Sequence, residues 1–221
     1  MTVADQIETL QPYVSEHKQQ LIREVLHDRT RMITLVLEDI YHSQNASAVL
    51  RTSECYGIQD AYIIEKEHSY DINPRVVMGA NKWLDLHYYS ASRGRTTMDC
   101  YNDLREKGYK IYATTPGYYS VEIQEIVPDH KMAFVFGTEL TGISEEAKEH
   151  ADQLVHIPMR GFTESYNISV SAAIILQTIS LKLRNNIPEN YSLTHEEKQD
   201  ITLRWYKLIV KNSDLILKRN A

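Results

Sequence analysis

The strongest constraint on this chain is an alternation of short apolar runs with segments of helical period, punctuated by so few glycines and prolines that each marks a boundary. There are eight glycines and six prolines in 221 residues. Met32 to Leu37 reads as a buried strand, and the pattern from Ala46 to Cys55 as a helix stopped at Gly57, where a left-handed residue ends it. Ala61 to Ile64 is the second strand, Pro74 opens a short helix, and Leu86 to Tyr89 is the third strand. A helix from Thr96 to Lys107 ends at Gly108 and leads into a strand from Lys110 to Thr114. Met132 to Phe136 then precedes a turn bounded by Gly137 and Gly142, and Ser144 caps a helix reaching about Ala151. Leu154 to Ile157 is a last strand before Pro158, and Ile168 to Arg184 is a long helix.

Such alternation predicts an α/β fold: a mostly parallel sheet with helices on both faces, and ligands held in the loops at the carboxyl ends of the strands. Helical extensions flank it. Thr194 with Glu197 makes a capping box, after which Ile201, Trp205, Leu208 and Ile209 fall on one helical face; the N-terminal segment is also helical, with Pro12 interrupting it early. The expected division is an N-terminal extension over 1–31, the sheet domain over 32–184, and a C-terminal linker and helical extension over 185–221.

Composition removes several classes of function. Two cysteines, Cys55 and Cys100, form no CxxC pair and lack zinc-finger spacing, so neither a disulfide framework nor a metal site is expected. No apolar run approaches a membrane span, and the start lacks a signal pattern; a soluble, cytoplasmic protein is the expectation. The formal net charge of −6 argues against a general nucleic-acid coat. Residues 195–221 alone carry a basic excess, six basic against four acidic side chains.

Most common chemical signatures fail. Gly137-Thr138-Glu139-Leu140-Thr141-Gly142-Ile143-Ser144 imitates a phosphate-binding loop, but Ile143 stands where the phosphate-neutralising lysine is required. No GxGxxG follows the first strand, and there is no GxSxG elbow or HExxH helix.

Three polar clusters remain, each following a predicted strand or its loop. The first is Gln44-Asn45-Ala46-Ser47-Ala48-Val49-Leu50-Arg51-Thr52, in which Asn45 is suited to cap the helix and Arg51 either serves a site or pairs with Glu54 on the surface. The second is the Gly137 to Gly142 turn carrying Glu139. The third runs from Ile157-Pro158-Met159 through Arg160 and Gly161 to Ser165-Tyr166-Asn167-Ile168-Ser169-Val170-Ser171, where Ser165 or Asn167 can cap the long helix.

Together these clusters resemble the three ordered motifs of the SpoU branch of the SPOUT RNA methyltransferases, over about residues 32 to 184. Asn45 to Thr52 matches N-x-x-A-x-x-R-T, Gly137 to Gly142 matches G-x-E-x-x-G, and Ile157-Pro158-Met159 with Ser165 to Ala172 matches the third motif. The resemblance implies a C-terminal trefoil knot, a homodimer whose active sites are completed across the interface, and bent S-adenosylmethionine bound by Thr114, Gly137, Ile157 and Tyr166. It also implies catalytic or organising roles for Arg51, Asn45, Glu139, Asn167 and Ser165, with Arg51 as the base that takes a ribose 2′-hydroxyl proton. No metal is implied. Relatives often carry histidine before the first-motif asparagine; here Gln44 stands there, with His42 two residues earlier.

The short N-terminal extension favours, among members of the branch, those that methylate guanosine 18 in the tRNA D-loop. Methylation of ribosomal RNA, or RNA binding without catalysis, are the alternatives. Arg160, Arg75, Lys82, Arg93 and Arg95 are candidate phosphate contacts.

Overall fold

A computed structural model describes residues 1–117, 119–185, 187–188 and 191–220. Contacts divide the chain into two compact units, Met1–Thr30 with Asn190–Ala221, and Arg31–Glu189. The chain begins with α1 (Val3–Leu10) and α2 (Glu16–Asp28), followed by β1 (Ile33–Glu38), α3 (Ser43–Cys55), β2 (Asp60–Glu65) and the single turn α4 (Pro74–Val77). β3 (Asp85–Ser90), α5 (Thr97–Glu106), β4 (Tyr109–Thr114) and a two-residue β5 (Val121–Glu122) come next. β6 (Lys131–Phe136), α6 (Glu145–Glu149), β7 (Gln153–His156), α7 (Ile168–Asn185), α8 (His195–Ile209) and α9 (Ser213–Arg219) complete it.

The larger unit is built on a seven-stranded sheet in the order β3-β2-β1-β6-β4-β7-β5, with every pairing parallel. β1 is buried along its whole length, as a central parallel strand must be when both faces are covered. On one face Val36, Tyr62, Ile64, Ile111 and Val135 pack with Cys100, Tyr101 and Leu104 of α5 and Ala147 of α6. Strand alternation sends Leu35, Leu37, Ile63 and Phe134, all buried, to the other face. Because the strands are parallel, their carboxyl ends share one edge. There β1, β6, β4 and β7 lie side by side and deliver the loops after Glu38, Phe136, Thr114 and His156 to one place.

Local signals account for most boundaries. Thr96 with Asp99 caps α5 reciprocally, Ser144 Oγ accepts from the Ala147 amide at 3.2 Å to start α6, and Gly57 stands at φ 76 beyond α3. Asn45 does not cap α3, contrary to expectation: the helix begins at Ser43 with His42 before it, which places Asn45 within the first turn. Asn167, not Ser165, caps α7, its Oδ1 accepting from the Ser169 amide at 2.9 Å.

In the smaller unit, α1 and α2 are separated by a 3-10 turn at Gln11–Tyr13 that contains Pro12. Thr194 and Glu197 cap α8 as expected, and Ile201 and Trp205 are buried. Leu208, expected on the same face, is 58% exposed, while Leu203 and Tyr206 are buried. The buried stripe therefore sits further round the helix than the apolar spacing suggested. Among the described residues, no helix is long and apolar enough to cross a membrane.

Candidate active site

The site is organised by the turn after β6. Thr138 N–H donates to the Gly142 carbonyl and Gly142 N–H donates to the Thr138 carbonyl, both at 3.0 Å, which folds the turn back on itself. That closure dictates both glycines. A Cβ on residue 137 would lie 2.1 Å from the Gly142 oxygen, and Gly142 itself has φ 73. Ile143 is buried in the core, so the position that a phosphate loop gives to lysine serves here to anchor the turn. Ser144 then ties it to β1: its amide and hydroxyl donate to Glu38 at 2.9 and 2.7 Å.

With the turn fixed, Glu139 meets the other two clusters. Asn45 Nδ2 donates to Glu139 Oε1 at 2.5 Å, and Asn167 Nδ2 donates to Asn45 Oδ1 at 3.2 Å. Asn167 Oδ1 in turn accepts from the amide and hydroxyl of Ser169 at 2.9 and 2.6 Å. The three clusters thus join in one run of hydrogen bonds, each carboxamide donating with one end and accepting with the other, and ending on a carboxylate. Glu139 Oε2 is buried without a partner among the described residues.

Beside this run lies a cleft of about 570 Å³. Thr114, Gly137, Glu139, Ile157, Ser165, Tyr166 and Asn167 all line it, so three carboxyl-edge loops contribute. Thr114 Oγ1 donates to the Val135 carbonyl at 2.8 Å, so its hydroxyl hydrogen is already used within the sheet. On the cleft wall, Leu140 is almost wholly exposed and Tyr166 is 44% exposed; Phe162, in the loop after β7, is wholly exposed.

Arg51 stands apart. Six residues beyond Asn45, it lies about 9 Å along α3 and about 120° round it. Its side chain is exposed, lines neither this cleft nor the second one described below, and makes no hydrogen bond or ion pair among the described residues. Arg95 is engaged elsewhere, in an ion pair with Asp103 and over the Tyr89 ring at 4.2 Å.

Residues 32–177 match the SpoU rRNA Methylase family. The chain belongs to that family. It is 39% identical to the tRNA (guanosine(18)-2′-O)-methyltransferase of Borreliella burgdorferi over 97% of this chain and 95% of that one. Its identity to the Thermus thermophilus protein of the same name is 29% over 87% of this chain and 97% of that one. Among solved structures, the A. aeolicus TrmH/SpoU tRNA modifying enzyme superposes with a TM-score of 0.79 at 28% identity, covering 89% of this chain and 98% of that one. SpoU relatives therefore resemble this chain beyond the sheet unit, into both terminal extensions.

Sequence reasoning missed the support beneath the turn. Glu38 is buried and accepts from Lys66 Nζ at 2.8 Å; Asp39, at φ 53, accepts from the amides of Lys66, Glu67 and His68, each at 2.9 Å. Two acidic residues ending an apolar strand were the available signal.

Proposed function

We propose that the protein transfers a methyl group from S-adenosylmethionine to the ribose 2′-oxygen of guanosine 18 in the tRNA D-loop. The observation that carries this reading is the run Asn167–Asn45–Glu139, which gathers all three family motifs beside the 570 Å³ cleft.

The residues present suit the cofactor. The volume falls within the roughly 300–1,000 Å³ of small-molecule sites, the walls mix backbone polar groups with Ile157 and Tyr166, and the carboxylate of Glu139 on the wall places negative charge near a cationic ligand. Thr114, Gly137, Ile157 and Tyr166 would hold it. When bound, S-adenosylmethionine supplies a methyl group on a positively charged sulfur that departs as a neutral thioether.

The protein's own residues then have two tasks: to hold the ribose oxygen in line with the methyl carbon, and to accept the hydroxyl proton as the new oxygen–carbon bond forms. Asn45, Glu139 and Asn167 fix the turn and the start of α7 in mutual register, and Ser165, on the cleft wall, would hold the third loop or contact substrate. The proton acceptor is Arg51 of a second copy. A guanidinium is ordinarily protonated in proteins, so this role requires the RNA phosphate to take a proton from the guanidinium as it accepts the one from the hydroxyl. Two observations support a homodimer: Arg51 lies away from the cleft of its own chain, and Leu140 and Tyr166 leave apolar surface on that cleft for another subunit to cover.

The same reading includes a chain threaded into a trefoil knot. Its support is that β6 enters the sheet between β1 and β4, and β7 between β4 and β5, each inserted among strands already laid down.

The test is transfer of labelled methyl from S-adenosylmethionine to purified tRNA and to ribosomal RNA, with the modified nucleotide mapped. Label on guanosine 18 of tRNA is expected. Label confined to ribosomal RNA, or cofactor binding without transfer to either, contradicts the reading.

A further inference from the structure

A second cleft, of about 440 Å³, borders the same turn. It shares residues 138–142 with the cofactor cleft, so one loop forms a wall of both. Its other boundary is formed by Tyr41, His42 and the segment from Lys66 to His68. Tyr41 is 59% exposed. Its ring lies nearly perpendicular to those of His42 and His68, at centroid distances of 4.7 and 4.9 Å, contacts that hold an otherwise open tyrosine in place. The backing is rigid. Asp39 gathers the amides of residues 66–68 and, at 3.1 Å, the Nδ1 of His68, while Lys66 Nζ is bound by Glu38 at 2.8 Å, Ser144 at 3.0 Å and Glu146 at 3.1 Å.

The charges decide what fits. Among the described residues, Lys66 is the only lysine or arginine on this cleft, and its charge is already matched by Glu38 and Glu146; Glu38, Asp39, Glu67 and Glu139 make the surroundings acidic. A phosphate is disfavoured there, whereas a flat base bearing N–H donors is favoured. The Glu67 carboxylate has no hydrogen-bond or ion-pair partner among the described residues, nor has His68 Nε2. Guanine carries adjacent N1–H and N2–H donors on one edge and a face that stacks on an aromatic ring.

Resting on the reading that this chain methylates an RNA ribose, we propose that this second cleft receives the guanine base of the acceptor nucleotide. The base stacks on Tyr41 with its donor edge toward Glu67, while its ribose crosses the shared wall to the cofactor. The geometry would make Tyr41 and Glu67 determinants of base recognition, distinct from the residues that hold the cofactor.

The experiment measures dissociation constants for two tRNAs, one with guanosine at the acceptor position and one with an abasic ribose there, against wild type, Tyr41→Ala and Tyr41→Phe. Loss of a stacked base costs about 5- to 150-fold in affinity. Tyr41→Ala is expected to weaken binding of the guanosine tRNA by a factor in that range and to leave the abasic tRNA unaffected. Tyr41→Phe should bind both as wild type does. Glu67→Gln should narrow the preference for guanosine over inosine, which lacks the 2-amino donor. Equal losses on both tRNAs, or none on either, overturn the proposal while leaving methylation intact. A wild type that neither binds tRNA nor transfers methyl to it overturns this inference and the reading beneath it together. Cofactor affinity, measured separately, should be the same in all variants and reports that each is folded.

Discussion

The Asn45 carboxamide donates to Glu139 Oε1 at 2.5 Å, joining α3 to the turn after β6 across 94 positions of sequence. Neither residue needs the other for its own local structure: Asn45 lies within a helix that starts before it, and the turn is closed by its own backbone. Their contact is therefore a property of the site. In Asn45→Ala, Glu139 loses its one side-chain donor among the described residues and Asn167 loses its acceptor, so the start of α7 is released from the turn. A misplacement of this kind lowers turnover by about a hundredfold, and steady-state kinetics beside cofactor binding will show it as a fall in kcat with little change in cofactor Kd.

Gly137 and Gly161 both sit in cleft-side loops, yet they should respond oppositely to the same substitution. A methyl group on residue 137 meets the backbone of Gly142 at 2.1 Å, which cannot be relieved by a side-chain rotation; at Gly161 the nearest atom is 3.9 Å away. Gly137→Ala is expected to lower stability by about 1–3 kcal/mol and to weaken cofactor binding, and Gly161→Ala to do neither. Urea unfolding midpoints and calorimetric titration decide it.

Much of this was legible in the sequence where the cause is local. The buried runs that become β1 and β6, the caps at Ser144 and Thr194, and the glycine stop at residue 57 each depend on neighbours within a few positions. Asn45 reads as a cap because a capping asparagine and one turned toward a distant carboxylate look alike in sequence. Glu38 illustrates the limit: its burial is satisfied by Ser144, 106 residues away. Leu208 shows another, since apolar spacing defines a stripe about 100° wide but not which edge of it is covered. β5, two residues long, carries no periodic signal at all.

Asp39 makes stability depend on acid. Burial pushes its carboxyl upward, but the hydrogen bonds from His68, Lys66 and Glu67 outweigh that and hold it below its ordinary value. A carboxyl depressed in the folded state contributes stability above its unfolded pKa, about 3.9, and loses that contribution as pH falls through the folded value. Asparagine tolerates the left-handed backbone here, at φ 53, so Asp39→Asn removes the charge with little strain. The variant should be less stable than wild type by about 1 kcal/mol at pH 6, with the difference closing as pH falls below the unfolded value. Chemical denaturation across pH 2.5 to 6 tests this.

A site shared between copies predicts complementation. Arg51→Ala and Glu139→Ala, each inactive alone, should regain about a quarter of wild-type activity when co-expressed in equal amounts, because half of a random dimer population is mixed and each mixed dimer has one intact site. If Arg51 acts within its own chain, the mixture stays as inactive as its components.

The central claim is that one ribose oxygen of one nucleotide receives the methyl group. The most direct measurement compares two tRNAs that differ in a single atom, carrying guanosine or 2′-deoxyguanosine at position 18, with labelled S-adenosylmethionine as donor. One methyl per molecule on the guanosine tRNA and none on the deoxy tRNA is the predicted result; equal labelling of the two would contradict it.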